Sequence, residues 1–378
     1  MFTFGLMVRI GTALGPGAVR DALTALRGRY PTLETADDDG LPFPLVVRRS
    51  ATASTLVEVA EAGLAEQFGQ TDARARLTML PIGPVTDLVL ICDHGLADGR
   101  TGGYVLRDLV TLLAAPGVAL PPAAPTATLA DLLPAGVEPL PVAGPMPEPP
   151  PRRFEVVHGR LPRPRTTALL ERCRQEGTTL HPALCVAWVR ALAQTGGLVT
   201  GALPPAVSIP VDARRLLPPD RQEAVGLLIT TLVIPVDLGT GFWVAARAVS
   251  QDLAHRLTPD QLRERVRHST EEFRTNLTAS QADPAGASVP RPIGYELSMT
   301  NLGRLDLPSD GPVPVQACYG MVNVLEGERT VAVCTVAGRL HLALTTFRGE
   351  HDEGWPGRAL ANAVGQLETA MGAGSGLP

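Results

Sequence analysis

A proline-rich stretch divides this chain into two parts. Residues 115–152 are dominated by proline and alanine and show no sustained hydrophobic period. A chain of 378 residues also exceeds what one simple core accommodates. We therefore expect an N-terminal half over residues 1–120, a linker over 121–153 stiffened by proline, and a C-terminal half over 154–378.

Both halves mix strand and helix patterns, and both begin with a strand, a loop and a helix. The strand patterns lie at 2–10, 76–80, 85–91, 154–161 and 206–213, with further strands between 293 and 347. The helical patterns lie at 54–68, 99–113, 165–175, 180–194, 241–256, 258–275 and 355–371. The fold class predicted from these patterns is α/β in two loosely similar halves.

Composition excludes several classes of function. All 33 basic residues are arginine, which rules out a lysine Schiff base and the lysine of a phosphate-binding P-loop. A net charge of −5 without a basic run argues against a nucleic-acid partner. The five cysteines form no CxxC pair, so neither a metal site nor a disulfide framework is expected. No apolar run reaches about 18 residues and no signal peptide is evident, so we expect a cytoplasmic protein without a membrane span.

The segment DHGLADG at 93–99 is the strongest candidate for chemistry. It follows the buried strand predicted at 85–91 and precedes a predicted helix, a place where a site can be held rigidly. Asp98 and Gly99 form a tight-turn dipeptide, and Gly95 lets the backbone approach a ligand. The alternative is a structural role, with His94 satisfied by a loop partner and Asp98 capping the helix.

The HxxxDG spacing after an apolar strand resembles the signature of the thioester-dependent acyltransferase superfamily. That superfamily includes chloramphenicol acetyltransferase, the condensation domains of nonribosomal peptide synthetases and polyketide-associated acyltransferases. Further segments resemble its motifs in the expected order: VRDALTALRGRYPTLET at 19–35, VSIPVDARR at 207–215, VGLLITTL at 225–232 and SMTNLG at 298–303. The sequence departs from the pattern at Asp93, where many members carry a first histidine, and at Thr230, where condensation domains carry asparagine.

The resemblance implies two α/β sandwich domains like those of chloramphenicol acetyltransferase, paired as a pseudo-dimer around an interdomain tunnel. It implies transfer of an acyl group from acyl-CoA or an acyl carrier protein to a small-molecule acceptor. The acceptor group would be a hydroxyl, or less readily an amine, of a natural product. No cofactor and no metal are implied, and a monomer suffices because the chain supplies both halves.

Carried over to this sequence, the resemblance makes His94 the general base. Although Asp98 belongs to the candidate catalytic set, the resemblance gives it a structural role, paired with Arg214 or, failing that, Arg215. Gly99 would permit the turn between them. Asp93 places a carboxylate beside the base, where it can alter the pKa of His94 or the shape of the pocket.

The remaining candidates concern the oxyanion and the substrate. Asn301 completes the candidate catalytic set as an oxyanion donor, with Ser298 and Thr300 as candidates on the same strand. In this fold that strand is expected to cross toward the first half. Thr230 and Thr231 are candidates for lining the cleft, although β-branched residues also simply fill strands.

Two other classes of function remain open from the sequence. The same pocket can catalyse cyclisation or isomerisation of a biosynthetic intermediate. A condensation-like fold can also lose catalysis and serve as a docking module. Release of thiol from an acyl thioester separates the transferase from both, and binding that is indifferent to His94→Ala would mark a docking module.

Overall fold

The computed structural model describes residues 3–35, 40–48, 53–65, 68, 74–132, 153–199, 201, 204–282, 294–324 and 327–372. The strands are β1 (Thr3–Ile10), β2 (Leu45–Val47), β3 (Ala75–Ile82), β4 (Val85–Asp93), β5 (Phe154–Leu161), β6 (Ala206–Asp212), β7 (Ile229–Pro235), β8 (Leu297–Arg304), β9 (Val315–Val322), β10 (Arg329–Val336) and β11 (Arg339–Phe347). The helices are α1 (Pro16–Thr24), α2 (Ala53–Ala65), α3 (Gly99–Ala114), α4 (Arg163–Gln175), α5 (Leu180–Gln194), α6 (Phe242–Arg256), α7 (Pro259–Ala282) and α8 (Trp355–Ala370). Three short 3₁₀ turns lie at Leu129–Leu132, Ala213–Leu216 and Pro219–Arg221.

The strands form two sheets. The first has five strands in the order β2-β3-β4-β1-β9, and the second has six in the order β5-β11-β10-β8-β6-β7. Helices α1 and α3 pack on one face of the first sheet, and α2 packs on the other. Helices α4, α5, α6 and α8 surround the core on one face of the second sheet. The molecule is therefore a mixed α/β structure built around two sheets.

The central pair of the first sheet ends at the candidate motif. Strand β4 is buried along nearly its whole length, as expected for an apolar run with cover on both faces. It pairs antiparallel with β1, so that Asp93 lies opposite Thr3 at one end of both strands. Helix α3 begins six residues later and buries an apolar stripe that includes Val105, Leu106 and Leu109. The motif is thus a short connection between two buried elements.

Strand β9 belongs to the first sheet although it lies in the C-terminal part of the chain. It pairs antiparallel with β1, with Leu6 opposite Gly320. It also lies beside β10, where the Cys334 thiol donates to the carbonyl of Cys318 at 3.2 Å. The crossing strand was expected to be the one that carries Asn301, but that strand is β8 and it stays in the second sheet. The alternation of apolar residues along a strand predicts which side chains are buried, but it does not predict which strands pair. For this reason the crossing role was assigned to β8 and not to β9.

The described start of the expected linker is packed against the C-terminal half. Thr126 forms a parallel β-bridge with Val225. Beyond it, Ala127, Leu129 and Leu132 join an apolar cluster with residues of the Ala213–Leu216 turn and of α7. Residues 133–152 of the linker lie outside the described residues.

The helices pack around the sheets and are short or polar. Within the described part of the chain, none of them is both long enough and apolar enough to span a membrane.

Candidate active site

His94 lies immediately after β4, at the start of the connection to α3. Its side chain is partly buried and contacts the ring of Phe4 on the neighbouring strand, with 5.0 Å between the ring centroids. The imidazole is therefore held on one side by a buried aromatic residue of β1. A histidine placed in this way keeps a defined orientation without being sealed from solvent.

The hydrogen bond that His94 makes determines its tautomer. Nδ1 lies 2.9 Å from the carbonyl oxygen of Ala97. A carbonyl can only accept, so Nδ1 must carry the proton and donate it. In the neutral imidazole, Nε2 then holds the lone pair and is the nitrogen able to accept a proton.

The surroundings of His94 keep it neutral. Burial lowers the pKa of His94 below its ordinary value of 6.5 by disfavouring the imidazolium. The bond to Ala97 and the carboxylates of Asp98 and Asp93 oppose that effect without reversing it. At neutral pH the side chain is therefore available as a base.

Asp93 is buried and shapes the connection around His94. Its Oδ1 accepts a hydrogen bond from the backbone N–H of Gly95 at 2.8 Å, and its Oδ2 accepts one from Arg74 Nη1 at 3.1 Å. Its carbonyl also accepts from the N–H groups of Leu96 and Ala97, both at 3.2 Å. The Asp93 carboxylate, which stands where many superfamily members carry a histidine, is therefore paired with Arg74. It also stabilises the turn that carries His94.

Asp98 points away from His94 and into the C-terminal half. Its carboxylate meets Arg214 in a bidentate pair, with 2.8 Å between Nη1 and Oδ2 and 3.0 Å between Nη2 and Oδ1. Both side chains are almost completely buried. The neighbouring Arg215 is exposed, so the structure brings together Asp98 and the first of the two candidate arginines.

The rest of the pair's hydrogen-bonding capacity is also used. Asp98 Oδ1 accepts from the N–H of Thr101, at 3.0 Å, and caps α3, while Oδ2 accepts from the N–H of Leu228 at 2.9 Å. Arg214 Nε donates to the carbonyl of Ala224 at 2.7 Å. A buried ion pair is tolerated when its remaining donors and acceptors are satisfied in this way.

Gly99 is placed by a close approach rather than by turn geometry. It is the first residue of α3, and its φ does not lie in the left-handed region. A Cβ added there would lie 2.7 Å from Cδ2 of Leu302 in β8. The expected turn role is therefore replaced by a packing role, since any side chain at this position would have to displace Leu302.

The structure does not turn Asn301 toward the first half. Leu297 and Met299 pack into the helix-covered core, and alternation along β8 places Asn301 on that same face. Its side chain is exposed, and its Oδ1 accepts from the N–H of Gly303 at 2.8 Å. Gly303 has a φ of +71°. Asn301 and Gly303 therefore belong to a bulge within β8, where the register against β10 shifts, and not to the strand-ending turn expected as the alternative. This placement disfavours Asn301 as the oxyanion donor.

Ser298 and Thr300 lie on the opposite face of β8. Thr300 pairs with Ala332 of β10, whose Cβ would contact a Cβ added at Gly320 of β9. The two hydroxyl side chains therefore face the region where β9 of the first sheet meets the second sheet.

Thr230 is engaged elsewhere. It is buried, and its hydroxyl lies 2.7 Å from that of Ser269 in α7. It shares the helix-covered face of β7 with Leu232 and Ile234, which belong to the core. A role in contacting substrate is therefore disfavoured for this residue.

Two residues with evident structural roles at the site were missed from the sequence. Thr101 of α3 and Gly226, which lies just before β7, hold these two segments together. The hydroxyl of Thr101 donates a hydrogen bond to the carbonyl of Gly226 at 3.0 Å. Gly226 was quoted from the sequence only as part of the segment VGLLITTL, without a role of its own. A threonine in the first turn of an amphipathic helix such as α3 has no distinctive sequence signal. Among the described residues, no cluster of histidine, cysteine and carboxylate side chains could hold a metal ion.

Comparison with protein families gives one match that covers more than half of the chain. The model described as "Phthiocerol/phthiodiolone dimycocerosyl transferase C-terminus" matches residues 150–345. The chain belongs to that family. The resemblance predicted from the HxxxDG motif, to polyketide-associated acyltransferases and condensation domains, is thereby confirmed. A search of curated proteins finds no significant match.

Solved structures of acyltransferases and condensation-type proteins share this fold. Each of the following three matches covers 98% of this chain. Polyketide synthase associated protein 5 from Mycobacterium tuberculosis is 16% identical, with 95% of its chain covered and a TM-score of 0.62. The TRI3 trichothecene 15-O-acetyltransferase from Fusarium sporotrichioides is 13% identical, with 91% covered and a TM-score of 0.69. The EpoB cyclization-docking bidomain from Sorangium cellulosum is 14% identical, with 79% covered and a TM-score of 0.64. The predicted two-domain α/β fold is confirmed.

Proposed function

We propose that this protein transfers an acyl group from a CoA or carrier-protein thioester to a hydroxyl group of a small-molecule acceptor. The single observation that carries the proposal is the state of His94. Its Nδ1 is committed to the carbonyl of Ala97, which leaves Nε2 as an acceptor on a neutral ring. Membership of an acyltransferase family supports the class of reaction.

The reaction balances without a covalent enzyme intermediate. His94 Nε2 takes the proton of the acceptor hydroxyl as the oxygen attacks the thioester carbonyl. The tetrahedral intermediate collapses with cleavage of the C–S bond, and the thiolate recovers the proton from the imidazolium. General-base catalysis of this kind contributes roughly 10²–10⁴-fold to a rate.

Asp98 and Arg214 act on structure in this mechanism. The two carboxylate oxygens of Asp98 are taken up by Arg214 and by two backbone N–H groups, so neither oxygen is directed at the imidazole. Their function is to hold the end of the His94 connection against the C-terminal half. In the proposed mechanism His94 and Asp98 therefore do not form a catalytic dyad, although they lie close together in the motif.

The oxyanion of the tetrahedral intermediate requires a donor, for which Ser298 and Thr300 are the better placed candidates on β8. Their hydroxyl groups lie on the face that meets β9, whereas Asn301 lies on the other face and is bound to Gly303. A donor correctly placed for the oxyanion is worth roughly 10²–10³ in rate.

The test that needs no knowledge of substrate is replacement of His94 by alanine in the producing organism, followed by mass spectrometry of what accumulates. An accumulated compound lighter than the product by one acyl group supports the transferase and identifies the group. An isomer of equal mass overturns acyl transfer in favour of cyclisation or isomerisation. An unchanged profile overturns His94 as the base.

A purified-protein assay gives a matched control. Release of free thiol from acyl-CoA or from an acylated carrier protein is followed with and without candidate acceptor alcohols. His94→Ala should abolish acceptor-dependent release, whereas His255→Ala, which alters an exposed histidine of α6, should leave it unchanged. Equal release by both variants would contradict the proposal.

A further inference from the structure

The hydroxyl of Thr101 uses all of its hydrogen-bonding capacity inside the protein. Oγ1 donates to the carbonyl of Gly226 at 3.0 Å and accepts from the N–H of Gly226 and from Arg214 Nη2, both at 3.1 Å. A hydroxyl has one proton and two lone pairs, so no capacity remains. The side chain is completely buried, and its backbone N–H caps onto Asp98. This one residue therefore contacts both members of the ion pair and the segment beyond them.

Gly226, the partner of Thr101, is itself fixed by the start of the linker. Its φ is +150°, and a Cβ there would lie 2.1 Å from the carbonyl oxygen of Ala127. The adjacent Val225 donates to the carbonyl of Pro125 at 2.9 Å and accepts from the N–H of Ala127 at 3.0 Å. We refer to residues 125–132, which continue into the apolar cluster with α7, as the strap. Only glycine fits between the strap and the motif helix.

A short series of hydrogen bonds links Thr101 to the imidazole of His94 through Gly226, Asp98 and Ala97. The carbonyl of Gly226 accepts from the N–H of Asp98 at 3.3 Å as well as from Thr101. Ala97 precedes Asp98, and its carbonyl is the group that fixes the tautomer and orientation of His94. A shift of the Asp98 backbone therefore moves the acceptor on which the base depends.

We propose that Thr101 is a positioning residue of the active site, which ties the His94 connection to Gly226 and, through Gly226, to the strap. The inference rests on the proposed function of His94 as the base. It gives the linker a second task, because its first residues hold the segment against which the motif is aligned. Misplacement of a catalytic group by about 1 Å can cost about 10²-fold in rate, so the alignment matters to turnover.

The test compares three variants. Thr101→Val keeps the shape of the side chain and removes all three hydrogen bonds of the hydroxyl, while Thr101→Ser keeps the hydroxyl. Thr166→Val is the matched control, because Thr166 is equally buried, donates to the carbonyl of Leu161 at 3.1 Å and accepts from the N–H of Leu340 at 3.0 Å. Thr166 lies in the second half on α4, away from the motif.

Thr101→Val should lower kcat by about 10- to 100-fold with little change in KM, because the position of the base affects the transition state and not substrate binding. Thr101→Ser should stay within about threefold of the unmodified protein. Thr166→Val should lower Tm without lowering kcat. If Thr101→Val and Thr166→Val lose the same small fraction of activity at a temperature well below both Tm values, the positioning role is wrong.

A second readout does not depend on turnover. The pKa of His94 is followed by NMR titration, with its signal assigned by comparison with His94→Gln. Thr101→Val moves the Ala97 carbonyl, whose hydrogen bond raises the pKa of His94, so this variant should shift the pKa of His94 away from that of the unmodified protein, while Thr101→Ser and Thr166→Val should leave it unchanged. An unchanged titration in Thr101→Val overturns the inference. If the unmodified protein transfers no acyl group, the proposed function fails, and this titration still decides the positioning role.

Discussion

Arg214 Nη1 and Nη2 bind the two carboxylate oxygens of Asp98 at 2.8 and 3.0 Å in a site closed to solvent. The two residues come from different halves of the chain, 116 positions apart. Since Asp98 is also the N-cap of α3, this one pair fixes the start of a helix, the end of the His94 connection and the contact between the halves. The ion pair therefore fixes the end of the HxxxDG motif, and His94 lies at the start of the same motif.

The first prediction concerns that pair. Arg214→Met leaves the carboxylate of Asp98 buried without its partner, and breaking a buried pair in this way costs about 3–5 kcal/mol. The free energy of unfolding, measured by urea denaturation, should fall by that amount. Arg215→Met alters the exposed neighbour and should change it by less than about 0.5 kcal/mol.

A double variant strengthens this test. Adding Asp98→Asn to Arg214→Met removes the stranded charge, so the double variant should be less destabilised than the sum of the single variants. Equal stability of Arg214→Met and Arg215→Met would show that the pair does not hold the two halves together.

The sequence anticipated much of the architecture and little of this interlocking. The helical period over 99–113 and the apolar run over 85–91 predicted α3 and β4 closely, because each element buries a face that its own residues define. Which sheet a strand joins depends on residues far away in the chain. For that reason β9 was not recognised as the crossing strand.

The linker shows the same limit in a different form. Its proline and alanine content predicted an extended connection, and composition without a period says nothing about docking. The strap is held against Val225 by two backbone hydrogen bonds, one from the N–H of Ala127 and one to the carbonyl of Pro125. Backbone groups such as these are common to almost all residues, so composition does not reveal their partners. Thr101 was missed for a related reason, since its hydroxyl makes three hydrogen bonds to Gly226 and Arg214, which only the fold brings beside it.

The second prediction concerns the pH dependence of acyl transfer. A general base acts only when deprotonated, and burial lowers the pKa of His94 below 6.5. The midpoint of the acid limb of kcat/KM should therefore lie below pH 6.5. Steady-state rates on both sides of this midpoint, with an acceptor whose hydroxyl does not titrate, provide the measurement.

Asp93→Asn refines that measurement. The Asp93 carboxylate raises the pKa of His94, so its neutralisation should move the acid limb to still lower pH. The amide oxygen can still accept from the N–H of Gly95, which preserves the turn. Asp310→Asn, at an exposed position, should leave the limb in place. A limb that moves to higher pH in Asp93→Asn would contradict this account of the base.

The third prediction separates the residues of β8. Asn301→Ala should keep acyl-transfer activity within about threefold, because the side chain is exposed and bound to Gly303. Ser298→Ala or Thr300→Val should lose about 10²-fold in kcat if that hydroxyl is the oxyanion donor. A loss of roughly 10²–10³-fold in Asn301→Ala would instead return the oxyanion role to asparagine.

The last prediction concerns stability at acidic pH. His341 of β11 is completely buried, and Tyr319 packs against its edge. Burial lowers the pKa of His341 to about 4, and the positive charges of Arg160 and Arg339 add to the effect. The ring of His158 also packs against Tyr319, and its charge acts on the pKa of His341 in the same direction.

The sign of the effect follows from proton binding. Between pH 6.5 and pH 4 the unfolded chain binds a proton at this histidine and the folded protein does not, so acid favours unfolding across that window. Because a tenfold change in proton affinity corresponds to about 1.4 kcal/mol, His341 should contribute about 3 kcal/mol that is present above pH 6.5 and lost by pH 4. Urea denaturation at a series of pH values measures this slope.

His341→Leu removes the titrating group and keeps an apolar side chain in the same core. Its stability should therefore fall less steeply between pH 6.5 and pH 4 than that of the unmodified protein, even if its stability at pH 7 is lower. His255→Leu, at an exposed position of α6, should retain the full slope because it leaves His341 in place. If His341→Leu and the unmodified protein show equal slopes, the acid sensitivity arises elsewhere, and the partly buried His181, whose pKa burial also lowers to about 4, becomes the residue to replace.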